Sequence, residues 1–218
     1  MVRSAAMPSE NSEAATAAAS PRRVRGVSRN PAEARSKLIE AAIGLFARKG
    51  FAATSTEEVA ELAGYGQATV FFHFKTKAGL LEACFNLMLD RARASLVQAE
   101  PSGTQNLLSR LDQYHAPHAD FFARMMSELA GNPKFGPIYA AFHDQMRELI
   151  EAELIRETGA SPERCAFAAA AIKSMMLGVH AEQRIAPDRY DSAQYAEMLH
   201  RVAALIIADL RALGRPGT

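Results

Sequence analysis

The chain has 218 residues, 49% of them apolar, and a formal net charge of only +1, enough for one large or two small globular domains. Near-neutrality excludes a uniformly basic, polyanion-coating protein, so any affinity for nucleic acid has to come from charge gathered in one place. The two cysteines, Cys84 and Cys165, sit in separate apolar stretches without metal-ligand spacing, which excludes a disulfide framework.

Residues 1–30 are rich in Ala and Ser and lack an amphipathic period, so they are expected to be disordered. Their basic end, Arg22, Arg23 and Arg25, suits either an arm in a DNA minor groove or a solubilising tail. Pro31 is well placed to start a helix, with Leu38, Ala41, Ala42, Leu45 and Phe46 on its buried stripe. Gly50 is expected to provide a left-handed cap and Phe51 to fold back on Phe46. From Pro21 to Thr56 eight Lys and Arg face only Glu33 and Glu40, a basic surplus just ahead of the next motif.

That motif runs from Thr56 to Phe74 and predicts two short helices joined by a tight turn. Thr56 is a suitable N-cap, with Glu57 and Glu58 where the helix dipole favours negative charge. Val59, Leu62 and Ala63 share one apolar face, and Gly64 and Gly66 loosen the turn. The second helix, near Gln67 to His73, is expected to bury Val70 and Phe74. This is a helix-turn-helix pattern, whose second helix enters a DNA major groove.

Thr76 then caps a helix from Lys77 to about Gln98, long enough at 1.5 Å per residue to join two domains. Further helices are predicted from Gln105 to Tyr114, from Pro117 to Leu129, from about Lys134 to Glu157, from Ser161 to about Ile185, and from Ser192 to Leu213. No useful strand-like alternation occurs, so the fold class is all-α. The domain division is a tail (1–30), a three-helix DNA-binding domain (31–78), a helical domain for effector binding and dimerisation (79–213), and a short end (214–218).

Thr54 to Leu81 resembles the DNA-binding domain of TetR-type transcriptional regulators. The likeness is carried by Val59-Ala60, Ala63-Gly64, Thr69-Val70, the aromatic run to Phe74, and Lys77 with Leu80-Leu81. It extends backward through Ala41 to Phe51. The resemblance implies a small-molecule pocket in the C-terminal domain. The chain departs from the family pattern where a tyrosine is usual at Phe71, a glycine at Ala68, a serine at Gly66 and a smaller apolar residue at Tyr65.

Gln67 can pair with adenine and Thr69 can touch a thymine methyl, while Ala68 permits close approach; Phe72 is a further outward candidate. His73 and Lys77 suit phosphates, as do Thr54, Ser55 and Thr56 on the opposite flank. Phe71 lacks the hydroxyl that would reach a phosphate.

In the C-terminal part, Phe121, Phe122, Met125 and Met126 recur on one predicted helix, and Tyr139, Phe142, His143 and Met146 on the next. Phe85 and Met88 join from the long connecting helix, and Met175, Met176 and His180 from a later one. Such side chains are ordinary core, or the walls of an adaptable apolar pocket with His143, Tyr139 and His180 as polar anchors. Ala166, Ala170, Ser174 and Gly178 form a small-residue stripe, and Met198, Val202, Leu205 and Ile206 a broad apolar face on the last helix. Two copies of this pair would close a four-helix bundle and make a homodimer.

There is no catalytic constellation, phosphate loop or cofactor motif, and no metal is expected: His115 and His118 read as surface residues without a third ligand. No signal peptide is expected, since no basic start is followed by an apolar stretch, and no membrane span, because Lys173 and Ser174 interrupt the longest apolar run. The expectation is a cytoplasmic homodimer that binds double-stranded DNA as a repressor and leaves a palindromic site when a small apolar or amphipathic effector binds. The rival is an α-helical carrier or enzyme that does not bind DNA.

Overall fold

The computed structural model describes residues 30–97, 107–186, 189 and 191–214. In chain order these form α1 (Pro31–Lys49), α2 (Thr56–Ala63), α3 (Gln67–Phe74), α4 (Lys77–Val97), α5 (Leu107–His115), a 3₁₀ turn (Ala116–His118), α6 (Ala119–Leu129), α7 (Gly136–Thr158), α8 (Pro162–Ile185) and α9 (Ser192–Gly214). No strand occurs among the described residues, and the all-α expectation holds.

α1 starts as its sequence dictates. Asn30 accepts the Glu33 backbone N–H at 3.2 Å, and Pro31 fills the first turn. Its predicted stripe is buried, and the Phe51 ring meets Phe46 edge-on with centroids 5.4 Å apart. Gly50 has positive φ (+89°), but its ψ of 164° is not that of a left-handed helical cap. The carboxylate of Glu128 occupies the space that a Cβ there would need, so the position is shaped by a distant contact.

α4 begins as predicted, the Gly79 N–H donating to the Thr76 hydroxyl at 3.0 Å. It carries Leu80, Leu81 and Cys84 toward α1, and Phe85 and Met88 into the C-terminal helices. One buried apolar cluster therefore runs from Leu38 to Leu210, with α4 belonging to both halves. Cys84 and Cys165 are buried as expected, and burial pushes the Cys84 thiol up.

Two starts differ from the sequence expectation. Pro117 lies in the 3₁₀ turn, and α6 begins at Ala119. α7 begins at Gly136 because the Asn132 side-chain oxygen accepts the Lys134 and Phe135 N–H groups at 2.9 and 3.1 Å, holding a turn there first.

The far end of the bundle is held by charge. Arg110 on α5, 3% exposed, donates to the Leu96 carbonyl and to Glu157, and stands 3.7 Å from Glu153. Glu153 also pairs with Arg156 at 2.6 Å, and Glu157 with Arg211 of α9 at 3.6 Å. The cluster ties α4, α5, α7 and α9 together. Removing its central cation would leave two buried carboxylates with only the more exposed Arg156 and Arg211 to compensate them. Arg110→Ala is therefore expected to cost about 3–5 kcal/mol of stability, read as a lowered urea midpoint, whereas Arg201→Ala in the exposed pair with Glu197 should leave the midpoint nearly unchanged.

Candidate functional site

The α2–α3 unit is built by local chemistry. Ser55, not Thr56, is the N-cap of α2: its hydroxyl accepts the Glu58 N–H at 3.1 Å, and Glu58 accepts the Ser55 N–H at 2.8 Å. Lys49 adds an ion pair to Glu58, and these bonds hold that carboxyl down at about 2. α2 ends in a left-handed Gly64 (φ +86°, ψ 20°), with the Tyr65 N–H returning to Ala60 O at 2.8 Å. The chain reverses, and α3 follows without a side-chain cap because Gly66 has none to offer. Val59, Ala60, Val70 and Phe74 close the small core as predicted, but Leu62, expected among them, is 56% exposed.

α3 faces outward along one side. Gln67, Ala68, Phe71 and Phe72 are exposed, the two phenylalanines by 44% and 61%. Thr69, expected to read base edges, is buried at 6%, because helical spacing turns it inward beside Val70. Gln67 donates across the turn to the Thr56 hydroxyl at 3.0 Å, so two expected DNA contacts hold one another in the free protein. His73 is half-buried, its ring edge-on to Phe72. Burial, then Arg35 and Lys75, lower its pKa and favour the neutral imidazole.

Two other expected phosphate donors serve the fold. The Thr54 hydroxyl is buried and donates to Gly50 O at 2.7 Å. Lys77 donates to Ala52 O at 3.2 Å and lies 4.4 Å over the Phe51 ring, where burial lowers its pKa. The exposed cation that the sequence expectation missed is Lys75. It occupies a γ-turn at φ +64°, with Thr76 N–H donating to Phe74 O at 2.7 Å. A non-glycine residue there is strained, and its ammonium, donating to the Phe72 carbonyl at 3.2 Å, places an exposed positive charge at the end of α3. Its position directly after the aromatic run was the available signal. Arg22, Arg23 and Arg25 lie outside the described residues.

A seam joins this unit to α6 and α7. Ala52 N–H donates to Glu128 at 2.9 Å, and the Phe51 ring meets Phe135 edge-on at 4.7 Å. With Lys77 bonded to the Ala52 carbonyl, both backbone groups of Ala52 are held from outside its own loop.

A narrow apolar cavity lies between α5, α6, α7 and α8. Leu111, Tyr114 and His115 line it from α5, Phe122 from α6, Phe142, His143, Met146 and Ile150 from α7, and Lys173, Met176 and Leu177 from α8. Its volume is about 40 Å³, room for about three waters. Of the residues expected to form a pocket, Phe122, Phe142, His143, Met146 and Met176 line it. Phe85, Met88, Phe121 and Met125 are fully packed core, with Phe85 stacked on Phe142 at 4.8 Å. Tyr139 packs edge-on to His143 at 4.3 Å behind the wall, and Met126 is half-buried. Met175 lines a separate groove with Met198 and Val202; the His180 side chain is outside the described residues. His115, expected at the surface, stacks on Phe122 at 4.5 Å, because α5 continues through it before Pro117 breaks the helix.

The outer face of α8 and α9 is unusually apolar. Met198, Val202, Leu205 and Leu213 are 48%, 40%, 71% and 49% exposed, and Phe167, absent from the expected interface, is 79% exposed. Ser174 and Gly178 are exposed with them, and Ala166, Ala170 and Ile206 are half-buried.

A helix-turn-helix with its second helix presented to solvent, mounted on an all-helical body, is the architecture of a bacterial DNA-binding regulator. Residues 38–84 match the family model described as "Bacterial regulatory proteins, tetR family", so this unit is a TetR-family DNA-binding domain. The chain is 38% identical to the HTH-type transcriptional regulator YvkB of Bacillus subtilis over 72 residues, 33% of this chain and 38% of that protein. It is 33% identical to the HTH-type transcriptional regulator TtgR of Pseudomonas putida over 91 residues, 39% of this chain and 43% of that one. The matched segments thus span about two fifths of either relative. The whole fold is similar to that of a transcriptional regulator from Rhodococcus sp. Rha1, at a TM-score of 0.63 and 21% identity, covering 84% of this chain and 99% of that one. Among the described residues no helix is long and apolar enough to cross a membrane.

The cavity makes His143 a probe of stability. Burial first, then Lys173, lower its pKa from 6.5 to about 4, against a smaller opposing effect of Asp144. The folded state therefore holds this ring neutral, and its contribution to stability is complete above 6.5 and lost as pH falls toward 4. In Tm measurements through that window the wild-type protein is expected to lose more than His143→Phe.

Proposed function

We propose that the protein is a ligand-responsive transcriptional regulator, a homodimer whose two α3 helices read successive major grooves of a palindromic site. The observation that carries this reading is the solvent-facing row of Gln67, Ala68, Phe71 and Phe72 on α3. Gln67 is at the start of the helix, where its amide can leave Thr56 for an adenine edge. Ala68 and Phe72 offer apolar contact to thymine methyls. Lys75 and the neutral N–H of His73 serve phosphates, with Ser55 on the other flank. The exposed apolar face of α8 and α9 suits pairing with a second copy, and the tail from Arg22 to Arg29 adds charge toward the duplex. The regulator acts as a repressor that an effector in the α5–α8 cavity releases.

Release works as a shift between two arrangements of the bundle. A ligand that widens the cavity displaces α6, which bears Phe122 on the cavity side and Glu128 on the seam side. Through Glu128 and Lys77 that displacement reaches the α1–α2 loop and the spacing of the two reading helices. Such coupling is commonly worth about 1–3 kcal/mol and is reciprocal.

Binding is tested by fluorescence anisotropy with sites selected from random duplexes. Affinity should fall steeply with salt, and Gln67→Ala should cost about 1–3 kcal/mol and relax one base position. Phe71→Tyr should hold or raise affinity with unchanged preference, since it adds only a phosphate donor. A chain that ignores duplex DNA in dilute buffer would remove the reading. Glu128→Ala should leave both ligands bound but bring their mutual effect toward nil, as followed by calorimetry with and without DNA.

A further inference from the structure

The walls of the cavity carry a chemical bias that apolarity alone does not explain. Among the described residues its polar lining consists of Tyr114, His115, His143 and Lys173, with no carboxylate. Every one of these side chains can donate a hydrogen bond. Both ring nitrogens of His143 and the Tyr114 hydroxyl are buried without a hydrogen-bond partner. Lys173, half-buried on α8, makes no ion pair within 4.0 Å among the described residues. Burying polar groups unsatisfied is costly, and a cavity whose described lining holds a cation and neutral hydrogen-bonding groups but no anion is complementary to an anionic acceptor that arrives from outside.

Resting on the effector reading above, we infer that this cavity takes an amphipathic carboxylic acid. The carboxylate lies against Lys173 and the His143 N–H, and the apolar tail among Phe122, Met146 and Met176. A cationic amphiphile would bring its charge to Lys173 with no carboxylate among the described lining residues to offset it, since Asp144 acts on Lys173 only from beyond ion-pair distance. A neutral alcohol could satisfy His143 but would leave the ammonium unpaired. The tail needs more space than the narrow cavity holds, and the two methionines, with three rotatable bonds each, are the side chains able to yield. The bond to the acid and the opening of the bundle are thus one event.

The test uses the full chain and three probes of equal tail length, decanoate, decanol and decylammonium, titrated by calorimetry. Decanoate should bind at least about tenfold more tightly than either of the others. Lys173→Met should erase that preference by weakening decanoate about tenfold while leaving decanol unchanged, and thermal melts should show the variant folded. Decanol or decylammonium binding best, no binding by any of the three, or an acid preference that survives in both Lys173→Met and His143→Phe would overturn the inference. Anisotropy with duplex DNA is run in parallel. Acid binding without any DNA binding would sink the regulator reading and leave the cavity chemistry standing, whereas DNA binding with the wrong probe preference would do the reverse.

Discussion

The two backbone bonds of Ala52 are the constraint on which the arrangement of the molecule turns. Glu128 takes its N–H and Lys77 takes its carbonyl, and the Phe51 ring beside it is clamped between the Lys77 ammonium and Phe135. A loop between two helices ordinarily satisfies its polar groups with water. Here they are satisfied by α4 and α6, so the orientation of the DNA-binding unit is specified by the body that carries the cavity. Even the backbone of Gly50 follows from this, since a side chain there would collide with Glu128.

The cavity and the buried ionic cluster divide the C-terminal half between them. Around Arg110, charges meet their partners, and four helices are fixed at that end. Around His143, polar atoms are left over, and the packing relies on methionine and stacked aromatic rings. An ion-paired network rigidifies its surroundings, whereas buried polar groups with no partner are stable only while nothing better is on offer. The α7 helix bears both, with Glu153 at one end and His143 a few turns away.

Much of the fold was legible because helical periodicity and punctuation agree. Pro31, Gly64, Thr76, Gly159 and Pro162 mark real ends, and the core positions of α1 and α3 fall where spacing puts them. Legibility failed wherever a residue's role is decided by a partner far along the chain. Nothing local about Lys77 reveals that it will bond a carbonyl twenty-five residues earlier, or about Arg110 that Glu157 awaits it. Thr69 and Leu62 depart from their periodic places for another reason: on an eight-residue helix, one step of rotation exchanges inside for outside. The aromatic and methionine positions of the C-terminal half were visible as a group, but the choice between wall and core depends on packing that periodicity does not encode.

The brevity of α3 has its own consequence. Eight residues without a capping side chain cannot sustain a helix in water, so its persistence is on loan from Val70 and Phe74 beneath it. A genetic screen for variants that no longer recognise their target sequence would therefore return hidden positions as readily as outward ones. At those hidden sites the lesion would be melting of α3, with every outward-facing side chain still intact.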